Sequence, residues 1–170
     1  DKTKTSMGKR LIRTWIEQPL ISCGAIIKRQ NAVEELVNNT MLRLDITDAL
    51  QGILDMERLM TRIVYGTSNA RELRSLCSAI SKIPHLKETA QPVESNLLKE
   101  IYSGIDVLLD VFEKINSSIV DEPPFSIREG GMIRQGYSQE LDAIMKDMNN
   151  SSDILASIEA QEKEKTGIPK

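Results

Sequence analysis

The run Leu97-Leu98-Lys99-Glu100-Ile101-Tyr102-Ser103-Gly104-Ile105-Asp106-Val107-Leu108-Leu109-Asp110-Val111-Phe112-Glu113-Lys114-Ile115-Asn116-Ser117-Ser118-Ile119 decides the fold class. Its apolar residues Leu97, Ile101, Ile105, Leu108, Phe112, Ile115 and Ile119 follow at spacings of four, four, three, four, three and four, which puts them on one face of a helix. Gly104 is the point at which a break or kink is expected, because a glycine inside a helix costs backbone entropy.

The same helical spacing recurs upstream. A first helix follows Thr5-Ser6, either of which can cap it, and carries Met7, Leu11, Ile12, Trp15 and Ile16 on one side until Pro19 stops it. Ser22 can cap a second helix with Ile26, Ala32, Val33, Leu36 and Val37 inward. Asn38-Asn39-Thr40 interrupts before a shorter helix through Leu44, Ala49 and Leu50, which Gly52 ends. From Asp55 the pattern Met56, Leu59, Met60, Ile63 runs to a terminating Gly66, and Asn69 caps a helix through Leu73, Leu76 and Ile80. Pro84 and Pro92 are expected to bracket a short connector.

Downstream, residues 121–136 hold two prolines and three glycines and cannot be helical throughout. Gly130-Gly131 between Ile127 and Ile133 suits a loop or miniature hairpin near 125–135. Ser138 then caps a final helix to about Lys165, roughly 42 Å long at helical rise and without internal Gly or Pro. Leu141, Ile144, Met148, Ser151, Leu155 and Ile158 alternate three and four apart along it, a heptad seam with a polar serine in the middle. The expected architecture is all-α: an irregular multi-helix core bundle over 1–137 and one long projecting helix over 138–170.

Composition bounds the function. The 170 residues carry 22 basic and 25 acidic side chains for a net charge of −3, which is not the balance of a stand-alone nucleic-acid-binding module. Lys2, Lys4, Lys9, Arg10 and Arg13 against Asp1 give residues 1–13 a local charge of +4, the concentrated basic stretch of the chain and the candidate phosphate contact. Its plainer reading is a solvated helix face with an Arg13–Glu17 pair. Residues 138–165 carry a net −4 and should not lie along DNA.

Catalytic and cofactor chemistry finds little to work with. Neither G-x-x-x-x-G-K-[ST] nor G-x-G-x-x-G occurs. Gly130-Gly131 between Arg128 and Arg134 reads as a turn before it reads as an anion cradle, and Asp121, Glu122 and Glu129 read as turn residues before a magnesium site. Cys23, Cys77 and the sole histidine, His85, cannot complete a four-ligand zinc site, and two buried thiols with a solvent-facing connector histidine are the expected arrangement. Met56, Met60, Met145 and Met148 fall at core spacing. No apolar run reaches the length of a membrane span, and two distant cysteines fit a reducing, cytoplasmic setting. A chain starting at Asp1 without methionine is expected to be a piece of something longer.

The run Thr5-Ser6-Met7-Gly8-Lys9-Arg10-Leu11-Ile12-Arg13-Thr14-Trp15-Ile16-Glu17-Gln18-Pro19-Leu20 closely resembles the opening of the core region of bacterial MutS mismatch-repair proteins. Collinear matches follow in Arg29, Asn31-Ala32-Val33-Glu34-Glu35-Leu36, Gly52-Ile53, Asp55-Met56-Glu57-Arg58-Leu59, Arg62-Ile63, Gly66 and Asn69-Ala70-Arg71-Glu72-Leu73. Asp121-Glu122-Pro123-Pro124, Arg128-Glu129-Gly130-Gly131, Gly136-Tyr137 and Glu140-Leu141-Asp142 resemble the family's loop before its long helix, and Glu162-Lys163-Glu164-Lys165-Thr166-Gly167-Ile168 the end of that helix. Ala70-Arg71 departs from the many relatives that have an extra proline before the arginine.

The resemblance implies the first part of the helical core, or lever region, of a protein that binds mismatched double-stranded DNA and initiates repair. It also implies partners outside this chain: the connector, clamp and ATPase domains, ATP and magnesium in that ATPase domain, a homodimer, and a bacterial cytoplasmic, nucleoid-associated location. This chain would have no catalysis of its own and no cofactor, linking DNA contacts to the ATPase. The rival reading is a free-standing helical adaptor that binds a partner helix through the 138–165 seam.

Overall fold

The structure, a computed structural model, describes residues 2–166. They fall into two compact units that divide between Met132 and Ile133. Asp1 and residues 167–170, with the Gly167-Ile168 end of the last motif and the end of the 138–170 segment, lie outside the described residues.

In the first unit, short capped helices follow one another: α1 (Ser6–Glu17), α2 (Cys23–Asn38), α3 (Thr40–Ala49), α4 (Met56–Val64), α5 (Ala70–Ile80), α6 (Ile83–Thr89), α7 (Asn96–Gly104) and α8 (Leu109–Ser118). Local chemistry sets their ends. The Thr5 hydroxyl accepts the Gly8 N–H, Asn39 accepts that of Leu42 and Asp55 that of Arg58, each occupying a donor that the first turn leaves unpaired. Asn69 and Glu72 form a reciprocal capping box at the start of α5, so the helix begins cleanly without the proline of many relatives. Ser22 stands at the N-cap position of α2 without a side-chain cap bond. Gly66, at a φ of +66°, ends α4 in the left-handed region, where its N–H reaches the Ile63 carbonyl and the Thr67 N–H reaches that of Arg62.

One expectation is corrected here, and one is met. The Pro84–Pro92 segment is not a bare connector, because α6 occupies most of it. Pro84 sits in the first turn, where its missing N–H has no carbonyl to serve. The 97–119 run breaks at Gly104, as expected there, into two helices. Gly104 is the last residue of α7, Asp106 accepts the Leu108 N–H at 2.9 Å, and Leu108 takes a left-handed φ of +51° before α8 begins. The apolar period survives this break because Ile105, Val107 and Leu108 still pack against the core, whereas Ile101 is exposed.

The core of this unit is built on α5. Leu76, Cys77 and Ile80 are buried with Ile83 from α6 and Ile115 and Ile119 at the end of α8, with Leu59, Ile63 and Phe112 packed around them. α5 and α8 lie together, and α4 packs on α5. α2 and α3 pair with α7 and α6 respectively. Polar ties brace the arrangement: Arg74 donates to Asn116 at 3.0 Å and Asp121 at 2.6 Å, Arg71 donates to the Pro123 carbonyl at 2.9 Å, and Lys28 meets Glu100. The loop after α8 holds a 3-10 turn at Ile127–Glu129 in place of a hairpin arm, closed by a Ser126/Glu129 capping box. Its backbone link is instead the Val120 N–H to the Met132 carbonyl at 3.0 Å.

The second unit is dominated by α9 (Gln139–Thr166), 28 residues of uninterrupted helix. The Ser138 hydroxyl accepts the Leu141 N–H, as its position predicts, and Asp142 turns back to accept the Gly136 N–H at 2.8 Å. Acids in the first turn (Glu140, Asp142) and lysines in the last (Lys163, Lys165) oppose the helix dipole at both ends.

Candidate functional site

Two surfaces carry the residues that the sequence singles out, one in each unit. The first is the basic stretch at the start of the chain. Lys2, Lys4 and Lys9 are exposed, and Arg13 is exposed beside Glu17 at 2.8 Å, the i,i+4 pair expected of a solvated face. Arg10 is placed differently. Its guanidinium donates to the two carboxylate oxygens of Asp55 at 2.6 and 2.8 Å and also to Glu57, while the Ser6 hydroxyl donates to Asp55 at 3.0 Å. Bidentate bonding from Arg10 holds the Asp55 carboxyl far below the usual carboxylate range, against the upward push of its burial. Arg10 therefore ties α1 to the N-terminus of α4, and the outward positive charge of the stretch comes from Lys2, Lys4, Lys9 and Arg13.

The second surface is the seam of α9. Ile144, Met148, Leu155 and Ile158 are exposed, Leu141 at the start is half-buried, and the Ser151 hydroxyl donates to its own helix at the Asp147 carbonyl, 2.8 Å away. Ile154 and Met145 widen the apolar strip beyond the heptad positions. Ion pairs of Lys163 with Glu159 and Lys165 with Glu162 brace the last turns. Met60, Met145 and Met148, which spacing alone puts in a core, are exposed, and Met56 is half-buried. Helical spacing reports which residues share a face; it does not report whether the face is covered.

The remaining candidates stand apart from one another. Cys77 is buried, burial pushes its thiol pKa up, and its sulfur lies 3.8 Å from the Phe112 carbonyl. Cys23, expected to be buried, is exposed. His85 lines an open hollow with Asp45, Asp48 and Glu88 between α3 and α6. Asp121 is paired with Arg74, Glu129 caps its own turn, and among the described residues no three His, Cys, Asp or Glu side chains are placed to hold a metal. Gly130 and Gly131 are two left-handed turn residues with open space around them. Among the described residues no helix is long and apolar enough to cross a membrane.

Sequence reading misses three tertiary contacts because each joins residues far apart in the chain. The Arg29 guanidinium stacks 3.5 Å from the centre of the Trp15 ring. Glu35 accepts the Glu94 and Ser95 N–H groups at 2.6 and 2.7 Å and so supplies the start of α7 with a carboxylate from α2. The third is the Arg10 tie itself. Its one signal in the sequence is an acidic N-cap, Asp55, whose second oxygen a local cap does not need.

Comparison with known proteins bears on both surfaces together. The family model described as MutS domain III matches residues 1–166. The chain is 45% identical over 168 residues to the DNA mismatch repair protein MutS of Halothermothrix orenii, covering 99% of this chain and 19% of that protein. It is 43% identical to the protein of the same name from Clostridium tetani and 44% identical to that of Ruminiclostridium cellulolyticum, with the same coverage. The chain thus spans about a fifth of the length of the curated relatives it matches.

Proposed function

The chain belongs to the MutS family of DNA mismatch-repair proteins, and from that premise we propose that it is the transmitting core and lever of a longer mismatch-binding ATPase. α9 supports this reading. A helix of 28 residues without Gly or Pro spans roughly 42 Å and bends little, so a movement imposed at one end reaches the other as a rigid-body displacement. Its exposed seam is the contact face for further helices of the parent, and the polar Ser151 sets register there at little cost to the helix.

On this reading the chain performs no catalysis. Recognition of mismatched double-stranded DNA, the clamp, the connector and the ATPase belong to the parts of the relatives' length that this chain does not span, as does the homodimer, and the setting is the bacterial cytoplasm. ATP and magnesium belong to the ATPase. The residues described here do not fit either ligand, since they offer neither a phosphate loop nor a cluster of metal-binding side chains. Lys2, Lys4, Lys9 and Arg13 are the residues of this chain suited to touch DNA phosphates, where they would position the duplex without reading its sequence.

The test is Ser151→Pro in the full-length protein. Proline removes a backbone donor and clashes with the preceding turn, which kinks α9 near its middle at a cost of about 3 kcal/mol. Nucleotide-triggered release from end-blocked mismatched DNA is expected to fail while ATP binding persists and a thermal melt shows the protein folded. Ser151→Ala is expected to leave release intact. Normal release by a folded Ser151→Pro variant overturns the lever reading and leaves the adaptor, which would use the same seam with no link to nucleotide.

A further inference from the structure

The apolar period that runs from Leu97 through Ile101, Ile105, Leu108 and Phe112 keeps one helical face across the junction of α7 and α8, yet the backbone between them is not helical. Leu108, at a φ of +51°, is the one residue other than glycine with a positive φ among the described residues, and its side chain makes that conformation costly. Gly104, which adopts such a φ freely, ends α7 four positions earlier without using it. The break leaves other groups unsatisfied. α8 starts without a side-chain cap, so the N–H groups of Leu109 and Asp110 in its first turn lack a carbonyl one turn back. Ile101 belongs to the periodic face but is 55% exposed. A continuous helix over residues 96–118 removes all of these defects. The N–H groups of Leu108, Leu109 and Asp110 then reach the carbonyls of Gly104, Ile105 and Asp106, Leu108 returns to a right-handed φ, and Ile101 rejoins the stripe.

Side-chain latches hold the break. Lys87 of α6 donates to the Ile105 carbonyl at 2.7 Å, the acceptor that the Leu109 N–H needs in a continuous helix. The Asp106 carboxylate accepts the Leu108 N–H at 2.9 Å in competition with the Gly104 carbonyl. From α2, Glu35 accepts the Glu94 and Ser95 N–H groups and Lys28 pairs with Glu100, which together fix the direction of α7. We propose that this junction is a two-state element: broken, with α7 held on α2, and continuous, with α7 released from α2 and in line with α8. The two forms exchange side-chain latches for backbone hydrogen bonds, and a movement that draws α2 away from α7 shifts the balance toward the continuous form. The proposal stands on the geometry of the junction and does not depend on the lever reading of α9.

The experiment is residue-resolved hydrogen exchange on the full-length protein as wild type, Asp106→Ala, Asp106→Ala with Lys87→Met, and Leu108→Gly. Alanine at 106 removes the competing acceptor and is the better helix former, and methionine at 87 removes the latch while keeping an apolar stem. Glycine at 108 relieves the left-handed strain and weakens a helix, which fixes the break. In the double variant the Leu109 and Asp110 amides are expected to exchange about tenfold more slowly than in wild type, while those of Glu94 and Ser95 exchange faster. Asp106→Ala alone should move both sets in the same directions by less, and Leu108→Gly should leave Leu109 and Asp110 fast. Mere loosening accelerates both sets, so the opposite signs identify the switch. Exchange at Leu109 and Asp110 that is unchanged or faster in both Asp106 variants overturns the proposal. So does slowing there with Glu94 and Ser95 unchanged, or the same slowing in Leu108→Gly. The α5 amides report whether each variant is folded, and if the double variant is not, Asp106→Ala decides alone.

Discussion

The Arg10 guanidinium grips the Asp55 carboxylate with two hydrogen bonds, 2.6 Å from Nη1 and 2.8 Å from Nη2, across 45 residues of sequence. Asp55 simultaneously accepts the Arg58 N–H at 3.2 Å as the cap of α4. One carboxylate thus starts one helix and anchors another, a double duty that fixes where α1 lies. Asp55→Ala is expected to lose the cap, about 1 kcal/mol, together with the tie to α1. Arg10→Ala should lose the tie and keep the cap. Chemical denaturation of the two variants checks this, with Asp55→Ala the less stable.

The same carboxylate makes stability depend on pH. Its folded pKa lies below the unfolded one because Arg10 bonds to the charged form. The stabilisation is therefore complete above the ordinary carboxylate range and is lost as pH falls below about 4 toward the folded value. Urea midpoints of wild type and Asp55→Asn should differ most at neutral pH, with the difference shrinking progressively once the pH falls below about 4, as measured at a series of pH values.

Glu35 gives a second titrating contact. Burial pushes its pKa up, but hydrogen bonds from Ser95 and Glu94 outweigh it and the net shift is downward. Glu35→Gln replaces a charged acceptor at the start of α7 by a neutral one and is expected to cost about 1 kcal/mol at neutral pH, less in acid. Loss of the helix start should also speed amide exchange at Asn96–Tyr102 relative to α5, which hydrogen-exchange mass spectrometry reads.

Leu108 should invert the usual helix ranking. It sits at φ +51° and packs partly against the core. Leu108→Ala loses packing and keeps the left-handed strain, whereas Leu108→Gly loses the same packing and releases the strain, worth roughly 1 kcal/mol. Glycine is expected to melt higher than alanine here. At Leu73 within α5, the same pair should rank the other way.

Isoleucine truncations separate core from surface. Ile80, 1% exposed in α5, is expected to cost about 2–5 kcal/mol as Ile80→Ala. Ile16→Ala on the open side of α1 should change the stability of this chain by less than about 0.5 kcal/mol. Equal costs in calorimetry would contradict the exposure of α1.

Much of this architecture is local and so was legible in the chain. Asn69 with Glu72, Gly66 and Ser138 act within four residues of themselves, and their caps lie where the residue types put them. The period of three and four likewise put Leu76 and Ile80 on one helix face and Ile115 and Ile119 on another, while prolines and glycines kept residues 121–136 from being helical throughout. The ordered motifs carried the family, because a resemblance in series needs no geometry. Only the tertiary structure decided which apolar faces are covered. Ile12 and Ile16 have the same spacing as Leu76 and Ile80, yet the first pair is exposed and the second buried. It decided too that Arg10 belongs to Asp55 rather than to the outward charge, and that the break expected at Gly104 runs on to a left-handed Leu108. Periodicity is a property of one helix, whereas burial and charge pairing depend on what another part of the chain places opposite it.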